Sequence, residues 1–369
     1  MIKRTLQELC LNITDGKHGD CENEENSGYY FISCKDIFDG QINYKNARQI
    51  TKADFEETHK RTMLEVDDIL LTNSGTIGRM AFVTDREATT KTTFQKSVAI
   101  IKPDKQKVLP RYLYYQLQNC VPQFINSSNG SAQKNLLLST MRTFQIEIEE
   151  NREKQEKIAN TLSAYDDLIE NNQKQIKLLE EAAQRLYKEW FVDLRFPEHE
   201  NTKIVDGVPE GWKKNCAEKF FEITIGKTPP RTEKRCFTTG KNGIPWVSIA
   251  DMGNSGMFVL NTAENLTDDA IKQYNVKVIP KNAVLLSFKL TVGRVAIAPN
   301  DICTNEAIAH FKGRRECERE YTYFYLKNFH YDELGSTSSI SKAVNSKIIK
   351  AMPFIMPSEK LLKEYSSKT

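Results

Sequence analysis

The chain has 369 residues, with 52 Lys and Arg against 49 Asp and Glu and a formal net charge of +3. So even a balance excludes a polybasic tail or a broad field for non-specific polyanion binding, and any nucleic-acid surface must be local. Eight cysteines, at 10, 21, 34, 120, 216, 236, 303 and 317, form no C-x-x-C pair, and the five histidines stand at no metal-binding spacing; this points to reduced thiols rather than a zinc site.

The N-terminal "MIKRTLQELCLNITDG" lacks the apolar core of a signal peptide, and no window of the chain approaches the ~18 apolar residues of a membrane span, so a cytoplasmic protein is expected. "ITDGK" at 13–17 and "GYYFISCKDI" at 28–37 follow. The adjacent carboxylates Asp67 and Asp68 read as a solvated turn, since neighbours on a strand point apart. At 68–83, "DILLTNSGTIGRMAFV" joins two apolar runs through a polar break and predicts a hairpin, with Gly78 where the chain reverses at positive φ. "FQKSVAII" at 94–101, the helix-like "RYLYYQLQN" at 111–119 and a small polar patch, "NSSNGSAQK" at 126–134, complete a first domain expected at 1–150.

Residues 151–196 contain neither Gly nor Pro and are rich in helix formers, predicting one long helix. Ile158, Leu162, Tyr165, Ile169, Ile176, Leu179, Ala183, Leu186 and Trp190 recur at steps of four and three, with Asn172 as the one polar member, the pattern of a coiled-coil seam. A helix of roughly 60 Å carrying such a stripe needs a second helix, and isolated chains are expected to pair antiparallel through it, with Asn172 setting the register.

After Pro197 and a polar linker, the first domain's segments return in the same order at offsets of about 208 to 215 residues: "ITIGK" at 223–227, "GIPWVSIADM" at 243–252, the hairpin "AVLLSFKLTVGRVAI" at 283–297 with Gly293, "TNEAIAHF" at 304–311, "EYTYFYLKNF" at 320–329 and "GSTSSISK" at 335–342. Paired segments in one order predict a duplicated domain, the second copy spanning 207–353. Residues 354–369 read as the start of a second long helix, cut short. The expected fold class is α+β: two repeated mixed α/β domains joined by a long coiled-coil helix.

Catalytic motifs are missing. No Asn-Pro-Pro-aromatic run or G-x-G-x-x-G follows a strand, and the "GKT" at 226–228 lacks the glycine a phosphate loop requires five residues earlier, where Phe221 stands. With no nucleophile, base and orienter at recognisable spacing, an enzyme acting alone is not expected. What stands out instead is Arg, Lys, Asn and Gln around the loops, residue types that grip phosphates or read base edges. The candidates are Arg79, Lys91, Lys96, Gln133 and Lys134 in the first copy, with Lys227, Arg231, Lys289, Arg294, Asn305 and Lys342 in the second. Arg294 and Lys289 are expected to matter to DNA more than to folding.

"ITIGKTPPRTEK", "NGIPWVSIADM", "LLSFKLTVGRVAI" and "TNEAIAHF", together with a long heptad helix between two copies, resemble the specificity (S) subunit of type I restriction-modification enzymes over nearly the whole chain. The resemblance implies that each copy is a target-recognition domain reading one half of a split double-stranded DNA site. It implies an antiparallel pair of long helices spacing the domains, and methylation and cleavage carried by separate modification and restriction subunits. The chain itself would hold no cofactor, with S-adenosylmethionine in the partner methyltransferase. The family would continue for about forty residues beyond the C-terminus of this sequence. Two alternatives stay open: a truncated DNA-binding variant or regulator of the same fold, and a coiled-coil scaffold with no DNA role.

Overall fold

The computed structural model describes residues 1–85, 87–128, 134–240, 242–334 and 345–369. The chain divides into two compact units, Met1–Asn172 and Gln173–Thr369, and the boundary falls inside the long helix Arg152–Tyr187.

In the first unit, four antiparallel strands form a sheet in the order Cys10–Asp15, Val98–Pro103, Ile69–Thr72, Met80–Phe82. The second unit repeats that order with Glu222–Ile225, Ile308–Lys312, Val284–Ser287 and Val295–Ile297. Beside each lies a smaller sheet with one parallel pair, Tyr30–Ile32 with Thr92–Phe94 and Ile244–Val247 with Cys303–Thr304. A two-stranded ribbon completes each unit, Ile2–Thr5 with Gln145–Ile148 and Lys213–Cys216 with Pro353–Met356. The duplication read from the sequence is therefore a duplication of strand order and register. The last ribbon strand straddles the expected boundary at 353/354, because its backbone bonds go to Lys213–Cys216.

Local signals explain the helices. Thr51 and Thr267 each accept a backbone N–H at the N-terminus of matching helices, Lys52–Thr62 and Asp268–Tyr274, whose ends turn through left-handed Met63 and Asn275. Asn151 caps the long helix by accepting from Lys154 N (3.1 Å). The apolar faces of Pro110–Asn119 and Arg319–Lys327 close the two main cores: Tyr112 and Leu113 join Ile69, Leu71 and Phe124, while Tyr321 and Phe324 join Phe221, Phe311 and Phe354. Ser33–Asp36 and Ser248–Asp251 form the same box, each Asp accepting from the backbone N–H and hydroxyl of its Ser.

The heptad pattern divides once it is seen folded. Ile158, Leu162, Tyr165, Ile169, Ile176 and Leu179 are exposed, as are Leu168 and Leu178 beside them. Ala183, Leu186 and Trp190 instead pack into the second unit's core, where Tyr365 of the helix Glu359–Ser366 donates its hydroxyl to Ala183 O (3.1 Å). The adjacent acids do point apart, but Asp68 is not solvated. It is buried against Lys102 Nζ (2.8 Å), and burial lifts its carboxyl to about 6 despite that ammonium, while Asp67 pairs with Lys105 (2.7 Å).

The Gly-Lys step that mimics a phosphate loop has a packing reason. A Cβ on Gly16 would lie 1.9 Å from Phe94 O, and one on Gly226 would lie 2.1 Å from Asn305 O. Gly16→Ala and Gly226→Ala should each lower stability by about 1–3 kcal/mol, the cost of forcing a methyl into filled space. Urea denaturation of the two variants measures this, and unchanged midpoints would refute the packing role.

Candidate nucleic-acid interface

In the second unit, Glu222–Ile225 and Val284–Ser287 both run antiparallel to Ile308–Lys312, so the ends of the first two coincide with the start of the third. Loops 226–228, 288–294 and 304–307 therefore gather at one end of the sheet. Main-chain bonds tie them together: Lys227 N donates to Thr304 O (2.9 Å), Phe288 N to Ala307 O (2.9 Å) and Asn305 N to Val247 O (3.1 Å). The first unit gathers the matching loops, with Lys17 N donating to Phe94 O (2.8 Å), Asn73 N to Ser97 O (3.0 Å) and Cys34 N to Ser97 Oγ (3.2 Å).

Each hairpin turn is closed by one hydroxyl. Thr72 Oγ1 donates to Thr76 O and accepts from Arg79 N (2.9 Å). Ser287 Oγ donates to Thr291 O (2.5 Å) and accepts from Arg294 N (2.9 Å). Gly78 and Gly293 have φ of 93° and 91°, and a Cβ there would press on Val121 (2.5 Å) or on the Tyr331 ring (3.3 Å). Glycine is thus required by conformation and by contact.

The expected DNA residues sort by what already holds them. Lys227 and Lys289 are exposed at the loop end without an ion pair among the described residues, the Lys289 ammonium lying 5.5 Å from its neighbour's Phe288 ring. Arg294 reaches the same end but donates to Ile249 O (2.5 Å), so its guanidinium clamps the hairpin to the short helix Ile249–Gly253 and serves folding as well as any ligand. The Asn305 side chain accepts from Ala307 N (3.0 Å) and shapes its own turn. Arg231 stands apart at the small sheet, paired with Glu264 (2.6 Å) and stacked 4.2 Å from Phe237 and 4.6 Å from Trp246. In the first unit Arg79, Lys96 and Lys134 are exposed around the hairpin, Lys134 beside the bridge from Asn135 to Ser74. Lys91 precedes the strand Thr92–Phe94 and Lys96 follows it, so the two stand at opposite ends. Gln133 and Lys342, with the "GSTSSISK" patch, lie outside the described residues.

Two residues escaped the sequence reading. Lys17, the counterpart of Lys227, is pinned by Asp54 (2.9 Å) and Glu57 (3.2 Å), and the bond to Asp54 raises its pKa. Leu290 occupies the hairpin tip where the first copy has Gly75; aligning the two hairpins residue by residue exposes the substitution. Among the described residues, no group of three His, Cys, Asp or Glu is placed to hold a metal, and no helix is long and apolar enough to cross a membrane.

The sequence model of the family described as "Type I restriction modification DNA specificity domain" matches residues 3–181 and 209–361. The chain belongs to the type I restriction-modification specificity-subunit family. It is 26% identical over 355 residues to the type I restriction enzyme MjaIX specificity subunit of Methanocaldococcus jannaschii, covering 91% of this chain and 78% of that protein. It is 24% identical over 336 residues to the HindI specificity subunit of Haemophilus influenzae, covering 73% and 72%. The crystal structure of a type I S subunit from M. genitalium shares the fold, with a TM-score of 0.58 at 15% identity, covering all of this chain and 87% of that one. A specificity subunit recognises DNA sequence and is not itself catalytic, which removes the scaffold without a DNA role.

One buried group ties the specificity subunit's second sheet to pH. His310 lies in its central strand, with Nδ1 2.9 Å from Thr224 Oγ1 and Nε2 2.6 Å from Thr304 Oγ1. Burial, with a smaller push from Lys277, depresses it from 6.5 to about 3. Folded His310 stays neutral down to about pH 3, whereas in the unfolded chain it takes up a proton near 6.5. The unfolded state is therefore favoured progressively as pH falls through that window, and the full contribution to stability exists only above it. Urea midpoints measured between pH 7 and pH 4 should fall more steeply for the wild type than for His310→Ile, which carries the residue of the equivalent Ile100; parallel slopes would refute the assignment.

Proposed function

We propose that this chain is the DNA-recognition subunit of a type I restriction-modification system, in which each unit reads one half of a split site in double-stranded DNA. The observation that carries the reading is the repeated loop cluster: one frame of strands and turns, presented twice, with different side chains on its outward positions. In this reading the exposed cations at each sheet end, Arg79, Lys96 and Lys134 in one unit and Lys227 and Lys289 in the other, grip phosphates and fix register, while neighbouring loop side chains read bases. The complex is cytoplasmic, and methyltransferase subunits that hold S-adenosylmethionine and a restriction subunit supply the chemistry. Methylation mapping by long-read sequencing, in cells carrying this chain with its partner subunits, tests the reading. A bipartite motif is expected. Exchanging residues 1–150 for the first domain of another specificity subunit should change one half only; a change in both halves, or in neither, would refute modular reading.

The exposed seam of the long helix supplies the assembly surface. Ile158, Leu162, Tyr165 and Ile169 on the first unit and Ile176 and Leu179 on the second are apolar groups that gain by leaving water, each by on the order of 1.5–3 kcal/mol if fully buried. In the full complex partner subunits cover them. In the isolated protein two copies pair antiparallel, with Asn172 helping to set the register. Light scattering at micromolar concentration should give twice the monomer mass of 42.4 kDa, and Ile169→Glu should return a monomer. A monomeric wild type would overturn the pairing.

A further inference from the structure

The second hairpin holds a leucine where its own backbone disfavours one. Leu290 has φ of 64°, in the left-handed region, and is 90% exposed, the most exposed of the large apolar side chains among the described residues. The matching position of the first hairpin is Gly75, with φ of 79°. The same turn, closed by the same hydroxyl bonds, thus takes the residue its conformation favours in one copy and a branched apolar side chain in the other. Local folding gives no reason for the exchange, because the side chain is in water and buries nothing.

The tip that carries Leu290 is held from below. Phe288, two residues earlier, is buried and its N–H donates to Ala307 O (2.9 Å). Ser287 Oγ bonds both Thr291 O and Arg294 N, Gly293 rests against the Tyr331 ring, and Arg294 is bonded to Ile249 O. An apolar group on a braced tip meets a ligand without an ordering cost. Its neighbours at that end of the sheet, Lys289 and Lys227, are exposed cations suited to phosphate.

We propose that Leu290 is a specificity residue of the second domain, packing against the C5-methyl of a thymine in the major groove; this rests on the DNA-reading function proposed above. The thymine methyl is the apolar group that base edges present in that groove, and cytosine lacks it. Leu290 would therefore favour thymine over cytosine at one position of the half-site read by the second domain. The equivalent position of the first domain, with Gly75, would carry no such preference.

The test uses the assembled methyltransferase complex containing the full chain, with duplexes carrying the mapped site. Replacing each thymine of the second half-site by deoxyuridine removes only methyls. For the wild type, one such replacement should lower the single-turnover methylation rate at subsaturating complex by about 3- to 10-fold, the range for one lost apolar contact. Leu290→Gly and Leu290→Asn, both compatible with the left-handed conformation, should lose a similar factor on thymine DNA, become indifferent to uracil at that position and melt no lower than the wild type, since they relieve the leucine's backbone cost. A second half-site without thymine, or variants with the wild-type motif, rate and uracil sensitivity, would overturn this inference and leave the proposed function standing. A wild-type complex with no bipartite site would overturn the proposed function and this inference with it.

Discussion

The arrangement of each unit depends on a close approach of backbone at one residue. The chain leaves the large sheet through Gly16 or Gly226 and passes so near the end of the small sheet that Lys17 N bonds Phe94 O at 2.8 Å and Lys227 N bonds Thr304 O at 2.9 Å. A side chain at either glycine would occupy the space those bonds need. Because Phe94 and Thr304 end strands of the small sheet, this contact draws the two sheets together at one end. The loops that follow them, and the hairpin turn beside them, then share a surface. The candidate interface is a product of sheet packing rather than of any single motif.

That division of labour explains how two copies of one frame can differ in what they present. The turn is fixed by main-chain bonds, one glycine and one hydroxyl, Thr72 or Ser287, so its exposed side chains are largely released from holding it, Arg294 excepted. They have diverged accordingly. Among the described residues, Lys17 is paired with two acids while Lys227 has no ion pair, Arg79 is exposed while the Arg294 guanidinium clamps Ile249, and Gly75 holds the position that Leu290 takes in the second copy. Divergence reaches the interior as well, where Ile100 and His310 hold the same place in the central strand; the imidazole is accommodated because Thr224 and Thr304 satisfy both of its nitrogens.

The sequence made the local features legible and left the long-range ones hidden. Alternating apolar runs around a polar, glycine-containing break specify a hairpin within about sixteen residues, so both hairpins and the duplication could be read directly. The commitment of Arg231 to Glu264 and of Arg294 to Ile249 could not, since the partners are 33 and 45 residues away and nothing in a residue's type distinguishes a tethered guanidinium from a free one. Burial of Asp68 was hidden for the same reason, its ammonium partner Lys102 lying on a neighbouring strand. The heptad was legible as an apolar face but not as a seam of one kind. Spacing of three and four marks any buried helical face, so Ala183, Leu186 and Trp190 carried the same signal as residues that remain exposed.

The exposed stretch of the long helix is informative because nothing in the helix itself requires it to be apolar. At its start, Gln155 accepts from Leu109 N (2.8 Å) and donates to Glu149 O (2.6 Å), and Tyr115 bonds Asp166 (2.6 Å). At its end, Ala183, Tyr187 and Trp190 are buried in the second unit's core. A helix anchored at both ends can cross solvent with a polar surface throughout, kept helical by residues such as Glu, Lys and Gln, in which this segment is already rich. Instead Leu162, Tyr165, Ile169, Ile176 and Leu179 line up between the anchors, each losing free energy to water in the isolated chain. A mere spacer gains nothing from such a stripe, whereas a docking helix is defined by it, and the charged residues between the stripe's members confine any partner to one face.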